Sequence, residues 1–581
     1  MKSEFSVSIV GAGGDGAIVA GDILSMVCAR EGLHVIKTEA YGPQIRGGES
    51  SCTVRISSTG IHAQADALDA LVVLSWKDYA KFGDELTPAP NAIFFHDDKD
   101  APPEGLGEAR LIAVPFTTMA REAKNMVALG LLSAAFSLRV EPIRDAIRRR
   151  FANKSAEVIE ANLTAFDAGA THDARDSSGA PVSSRALPIP SHPIPQLLMS
   201  GNEASAIAAI DAGCRFFAGY PITPSSEILH YLSEWLPRIG GACLQTEDEL
   251  AAIGAVIGGS FAGVKSMTAT SGPGLSLMAE MNGLASIAEV PAVIVNVQRG
   301  GPSTGIPTKS EQSDLLHAVF ASHGDTPRAV IACTDVEDSY HCTVEAFNIA
   351  EEFQLPVIVL SDQMIAQRRE TITADSLEHA VVERRLATAE ELRGFARYRD
   401  TPSGVSPMSI PGMAGGIYQT NGLEHDESGN PASMFVTHER MNAKRFRKMD
   451  AIAEKYPLFY RYGTERADLG ILCWGSSAGP VREAVEMLNA AGASVAAFVP
   501  RMIMPLPARE IEAFLASCAQ ILVMELSYSK QFYRYLKTEI DLPRETQVYA
   551  RSGGKLLSVS EIVKQAELRL APVRPLQEVM S

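Results

Sequence analysis

No two cysteines of this chain stand as Cys-x-x-Cys. The 8 are scattered, at Cys28, Cys52, Cys214, Cys243, Cys333, Cys342, Cys473 and Cys518. That spacing excludes a conventional clustered iron–sulfur or zinc-ribbon motif within the chain. They read instead as small apolar core residues in a reducing compartment. Long uncharged apolar runs are also missing, so no membrane-spanning helix is expected. The opening stretch MKSEFSVSIVGAGG lacks the apolar centre and cleavage site of a secretory signal. These absences predict a soluble, cytoplasmic protein. Basic charge is short as well: 52 Lys and Arg against 69 Asp and Glu leave a net charge of −17. Nucleic acid and anionic membrane both reward clustered Lys and Arg, so neither is expected as a partner. There is no fixed-period repeat and no heptad pattern.

What is present is α/β grammar. At roughly 150 residues per domain, a chain of 581 residues, 46% of them hydrophobic, has room for about three or four domains. Strand-like runs alternate with helical patterns through residues 1–168. Residues 169–196 are rich in Ala, Ser and Pro, and prolines at 188, 190, 193 and 195 favour an extended linker. A second α/β unit covers 197–381, an irregular Gly- and Pro-rich connecting segment 382–466, and a last parallel α/β unit 467–581. A long structureless stretch such as 397–435 is often a functional loop.

Several constellations could carry chemistry, each beside a plainer reading. Gly11, Gly13 and Gly16 satisfy G-x-G-x-x-G between a strand and a helix, with Glu39 where a ribose-binding acid is expected. An NAD(P)-dependent oxidoreductase would use this loop, but Asp15 within it repels pyrophosphate; a tight strand-to-helix turn is the alternative. Arg46, in YGPQIRGG, could hold a phosphate or carboxylate, or form a surface salt bridge. Thr246 and Glu249 form a Thr-x-x-Glu capping box, a role that competes with any catalytic one for the Glu249 carboxylate. Arg299 ends a buried strand, where it could bind a carboxylate through two parallel hydrogen bonds or sit in an ion pair. His425 and His438, in EHDE and HER, lack helical pairing, and no metal site is assigned to them.

The stretches GYPITPSSEI, TEDELAAIGAVIGGSFAGVKSMTATSGPGLSLM and QRGGPSTGIPTKSEQSDL occur in this order. With GAGGDG and YGPQIRGG before them and EHDESGNP after, they resemble the alpha subunit of a 2-oxoacid:ferredoxin oxidoreductase of the 2-oxoglutarate type. The resemblance covers most of the chain. It implies a multidomain α/β fold: a gamma-type domain fused at the N-terminus, a thiamine-diphosphate pyrimidine-binding domain, and a transketolase C-terminal-like domain. It also implies oxidative decarboxylation of a 2-oxoacid, with CoA taking up the acyl group and ferredoxin the electrons. Glu249 matches the glutamate at N1′ of the aminopyrimidine, with Glu247 as the fallback. Thr223 and Arg299 match residues at the substrate's C1 carboxylate, and Tyr220, Pro221 and Pro224 shape and stiffen that loop beside the cofactor. Gly14-Asp15-Gly16 lacks the Asn pair that follows a diphosphate site. Mg2+, the diphosphate and a 4Fe-4S cluster therefore fall to a beta subunit in an (alpha-beta)2 assembly. The substrate the resemblance implies is 2-oxoglutarate, giving succinyl-CoA, with pyruvate or a branched-chain 2-oxoacid as the alternative. Met408 stands where the family often places arginine, and if that arginine reads a second acid, the preference for 2-oxoglutarate is weakened.

Overall fold

A computed structural model describes residues 3–42, 48–176, 179–182, 186–188 and 194–570. Arg46 and much of the proline-rich linker lie outside these residues. The chain divides into two compact units, residues 1–199 with 367–376, and residues 200–366 with 377–581.

The first unit is built on a mixed sheet. In spatial order, its strands Arg110–Val114, Pro88–Asp97, Leu68–Val73 and Glu4–Ala12 run parallel. Glu49–Ser57 and His34–Tyr41 then follow antiparallel. The glycine loop opens the helix Ala17–Arg30. A dinucleotide fold would place a parallel second strand beside the first and bring its acid to the ribose. Here the antiparallel strand Glu49–Ser57 stands between them. Glu39 is drawn into an ion pair with buried Lys37. Asp15 turns its own carboxylate onto the Ala12 N–H (2.8 Å), so the loop closes on itself. The nicotinamide reading of this motif therefore finds no support in the geometry. The sheet is extended by Arg369–Ile372, which pairs with His34–Tyr41 although it follows the second unit's strands in sequence.

In the second unit a seven-stranded sheet carries the sequence motifs. Ala329–Ala332, Pro356–Asp362, Ala292–Gln298, Ser266–Thr270, Phe216–Gly219 and Ala242–Gln245 are parallel neighbours in that order. Ala292–Gln298 is buried at every position, as a parallel strand covered on both faces must be. The helix Glu249–Phe261 lies close on the sheet because Gly259 has no side chain: a Cβ there would fall 2.8 Å from Phe216. A five-stranded sheet is built from residues 459–550. One apolar cluster runs from Ala218 through Ile294 to Phe498 and Ile540, so both sheets share a core.

Two expectations need correction. The segment expected to be irregular contains a 21-residue helix, Phe435–Lys455. Its buried positions are Met441, Lys444, Arg445, Lys448, Met449 and Ile452. The spacing is helical, but half the buried side chains are cationic, so apolar periodicity hides it. The capping box also fails. Asp248 is the N-cap and accepts from Ala251 N (2.8 Å), while Thr246 donates to the Asp248 carbonyl (2.9 Å). Glu249 is the first helical residue, free of any capping duty.

Candidate active site

Ligand sites of parallel sheets lie beyond the carboxyl ends of the strands. At that edge of the seven-stranded sheet, four sequence motifs meet. The strand Phe216–Gly219 runs into Tyr220-Pro221-Ile222-Thr223, and a cis peptide joins Thr223 to Pro224. Asn202 fastens this turn by donating to the Pro224 carbonyl (2.8 Å) and to Glu227 (2.9 Å). Tyr220 is 41% exposed, Pro221 is partly exposed, and the Thr223 side chain faces solvent.

Arg299 follows the buried strand Ala292–Gln298 and is itself buried. Its Nη1 donates to the backbone carbonyl of Thr223, 76 residues earlier in the chain. Its Nε is buried and has no partner among the described residues. Burial makes the guanidinium harder to keep charged, an effect the nearby Asp314 opposes. The structure thus joins Thr223 and Arg299, through the threonine's backbone rather than its hydroxyl.

Glu249 is 5% exposed, whereas Glu247 is exposed. No described residue donates a hydrogen bond to the Glu249 carboxylate or forms an ion pair with it. Its Oε1 lies against the turn after Ser266–Thr270, where a Cβ on Gly274 would approach to 2.6 Å. The same turn faces Asp314: a Cβ on Gly272 would meet its carboxylate oxygens at 2.8 and 2.9 Å. The Ser271–Gly274 turn is therefore gripped from two sides by acids.

Beside Arg299 opens a pocket of about 560 Å³ lined also by Gly272, Glu311, Asp314, His317 and Tyr528. Its walls are tied together by side-chain amides. Gln312 donates to the Trp474 carbonyl (2.6 Å) and accepts from Leu526 N (2.9 Å), and Gln531 accepts from Leu316 N (3.0 Å). Glu311 accepts from both Gly301 N (3.2 Å) and Gly553 N (3.1 Å). Sequence reading missed Asp314, His317, Glu311 and Tyr528. The first three stand in or just after the quoted KSEQSD stretch, but nothing in residue type or spacing marks them.

The two histidines considered for metal are spent on structure. His425 is buried between the carbonyls of Asp426 and Ile287 (3.0 and 3.1 Å). His438 contacts Glu424 at 2.6 Å. Burial alone would raise the Glu424 carboxyl, but Arg445 and His438 bring it down to about 2. Among the described residues, no helix is long and apolar enough to cross a membrane.

Three family profiles match. Residues 207–444 match the thiamine diphosphate-binding part of pyruvate flavodoxin/ferredoxin oxidoreductase. Residues 6–172 match pyruvate ferredoxin/flavodoxin oxidoreductase, and 467–562 match core domain II of pyruvate:ferredoxin oxidoreductase. The 2-oxoglutarate synthase subunit KorA of Methanothermobacter marburgensis is 38% identical over 372 residues, covering 64% of this chain and 98% of that relative. The alpha subunit of 2-oxoacid:ferredoxin oxidoreductase 1 from Aeropyrum pernix is 30% identical, covering 93% of each chain. A solved structure of 2-oxoglutarate:ferredoxin oxidoreductase from Magnetococcus marinus, with 2-oxoglutarate, coenzyme A and succinyl-CoA bound, superposes with a TM-score of 0.93 at 36% identity. It covers 98% of this chain and 100% of its own. With the sequence motifs gathered at one sheet edge and both chains matched over nearly their full lengths, this chain belongs to the 2-oxoacid:ferredoxin oxidoreductase family, among its alpha subunits.

Proposed function

We propose that the chain is the alpha subunit of a thiamine-diphosphate-dependent enzyme that converts 2-oxoglutarate and CoA to succinyl-CoA, carbon dioxide and reduced ferredoxin. The observation that carries this reading is Glu249, which is 5% exposed and whose carboxylate no described residue engages. A carboxylate that the protein leaves without a donor is available to a ligand's proton. A cofactor ring nitrogen would share a proton with it, and Gly274 lets the carboxylate lie close against the start of the helix Gly272–Leu277. The residues fit an aminopyrimidine.

Thiamine diphosphate, when bound, supplies the carbanion-stabilising centre that decarboxylation of a 2-oxoacid requires. Glu249 would hold the N1′ proton and thereby select the ring's imino tautomer. Arg299 would take the C1 carboxylate of the substrate, held in place by the Thr223 carbonyl, with the Thr223 hydroxyl beside it. Tyr220 and Pro221 would form the loop along the cofactor. Mg2+, the diphosphate and a 4Fe-4S cluster belong, in this reading, to a beta subunit in a cytoplasmic (alpha-beta)2 assembly, with ferredoxin as the acceptor.

The substrate follows the relatives named for 2-oxoglutarate. Met408 does not oppose it. It is fully buried, its carbonyl accepts from Ala387 N (2.8 Å), and it does not line the Arg299 pocket.

The test is co-expression with the beta subunit, followed by CoA-dependent reduction of ferredoxin with 2-oxoglutarate, pyruvate and a branched-chain 2-oxoacid. The complex should be coloured by its cluster and prefer 2-oxoglutarate. Preference for either other acid changes the substrate. Turnover by the chain alone, without partner or cluster, overturns the subunit reading.

A further inference from the structure

The Arg299 pocket contains an acid that the reading above does not use. Asp314 precedes the short helix Leu315–Phe320, and its Oδ2 accepts from Asn296 Nδ2 (2.9 Å). That is its side chain's only hydrogen bond among the described residues, and no cation lies within ion-pairing distance of it. The carboxyl packs under the backbone of Gly272, where even a Cβ would collide with it. Of the residues that line this pocket with it, Arg299 keeps its Nε buried without a partner among the described residues. Buried polar atoms are nearly always satisfied in native proteins, so an under-used guanidinium beside an acid with a single hydrogen bond points to a polar ligand in this pocket. An anion drawn to Arg299 lies in the same pocket as Asp314. Two carboxylates in one site do not both stay ionised without strong compensation.

Resting on the substrate reading above, we propose that Asp314 is a positioning residue for the 2-oxoacid: it holds the proton that lets a carboxyl lie beside the bound anion, and donates that proton as a hydrogen bond to it. Burial raises the Asp314 carboxyl above the usual aspartate range; the Asn296 hydrogen bond, His317 and Arg299 oppose the rise, and Glu311 adds to it. The charged or titratable groups lining the pocket are Arg299, Glu311, His317 and Tyr528. Neutral Asp314 accepts the anion; ionised Asp314 repels it. Affinity for the substrate is therefore highest at low pH and falls as pH rises through the Asp314 titration.

The experiment titrates 2-oxoglutarate calorimetrically into the thiamine-free alpha–beta complex from pH 5.5 to 9. In the wild type, Kd should rise by up to about tenfold per pH unit above the Asp314 titration, the limit for one proton. In that range binding should take up a proton, read from heats in buffers of different ionisation enthalpy. Asp314→Asn keeps a hydrogen-bond donor without a charge. It should bind tightly across the range, with Kd changing by less than about threefold, and should abolish the proton uptake. His317→Asn should leave the wild-type slope in place. A flat wild-type profile overturns the proposal, as does a wild-type slope retained in Asp314→Asn. If that variant does not fold, proton uptake by the wild type decides, with the His317→Asn complex separating the two groups. Arg299→Ala is the control for the underlying reading. If it binds 2-oxoglutarate as the wild type does, the substrate site itself is misplaced; if it loses binding while the Asp314 arms fail, only the Asp314 proposal falls.

Discussion

The two ends of the seven-stranded sheet treat buried charge in opposite ways. At the carboxyl end, Glu249 has no partner among the described residues and Arg299 has an orphaned Nε. At the amino end, just before the strands Ala292–Gln298 and Pro356–Asp362, Glu289 is fully buried and its carboxylate fully engaged. Lys444 and Lys448 reach it from the helix Phe435–Lys455, each at 2.6 Å. Arg397 donates to the Glu289 carbonyl (2.6 Å) and to Gln354 (3.0 Å). Glu289 and Gln354 both take left-handed backbone, at φ 51°, as the residues that turn a helix into a strand. Glycine would fill those turns with less strain, but it could not bring a carboxylate or an amide to the node. Burial disfavours the Glu289 charge, yet the three cations hold its carboxyl well below the ordinary range. One end is a closed structural network; the other leaves polar groups open for something to bind.

This contrast is breakable from both sides. The largest effect belongs to the open end. Glu249→Gln should lower turnover of the complex by about 10²–10⁴-fold, the range for a lost acid–base group. Its melting temperature should hold, because no described residue bonds to the carboxylate that is changed. A large drop in stability would show that Glu249 serves the fold. Next comes the closed end. Glu289→Gln strands three buried cations and should cost about 3–5 kcal/mol of stability, read by denaturant or thermal unfolding. A variant that unfolds like the wild type would show that the node contributes nothing. Arg299→Ala follows, and should raise the KM for 2-oxoglutarate by roughly 10–100-fold, the worth of one or two hydrogen bonds to a charged group. An unchanged KM would remove it from the substrate site.

The same contrast explains what could be read from the sequence. Parallel strands such as Ala292–Gln298 announce themselves because burial on both faces demands a mostly apolar run, interrupted here only by Asn296 and Gln298. Arg299 and Thr223 were singled out from separate motifs, and a hydrogen bond joins them. The amino-end node was invisible because its code is inverted: Lys444 and Lys448 look like a solvated face and are core. Asp314 was illegible for a different reason. Its environment comes from Gly272 and Asn296, which reach it only through the fold. The capping box at Thr246 misled because the helix starts two residues later than that box requires, with Asp248 as the N-cap accepting from Ala251 N.

The smallest effect tests how closely the node is balanced. Lys448 is buried, and although Glu289 favours its charge, burial brings its ammonium down from 10.5 to about 7. A lysine lowered on folding makes the unfolded chain bind more protons between those two values. Stability then rises with pH from about 7 to about 10.5, with a limiting slope of about 1.4 kcal/mol per pH unit for one group. Lys444 is lowered too, so its share of the slope has the same sign. Lys448→Met keeps the volume and removes one of the cations facing a single carboxylate. At pH 7 its stability should lie within about 1 kcal/mol of the wild type, since an apolar replacement of a buried charge is often neutral. Between pH 7 and 9 its melting temperature should climb less steeply than that of the wild type. An equal climb would mean that Lys448 keeps its proton throughout and that the node carries its excess positive charge at every physiological pH.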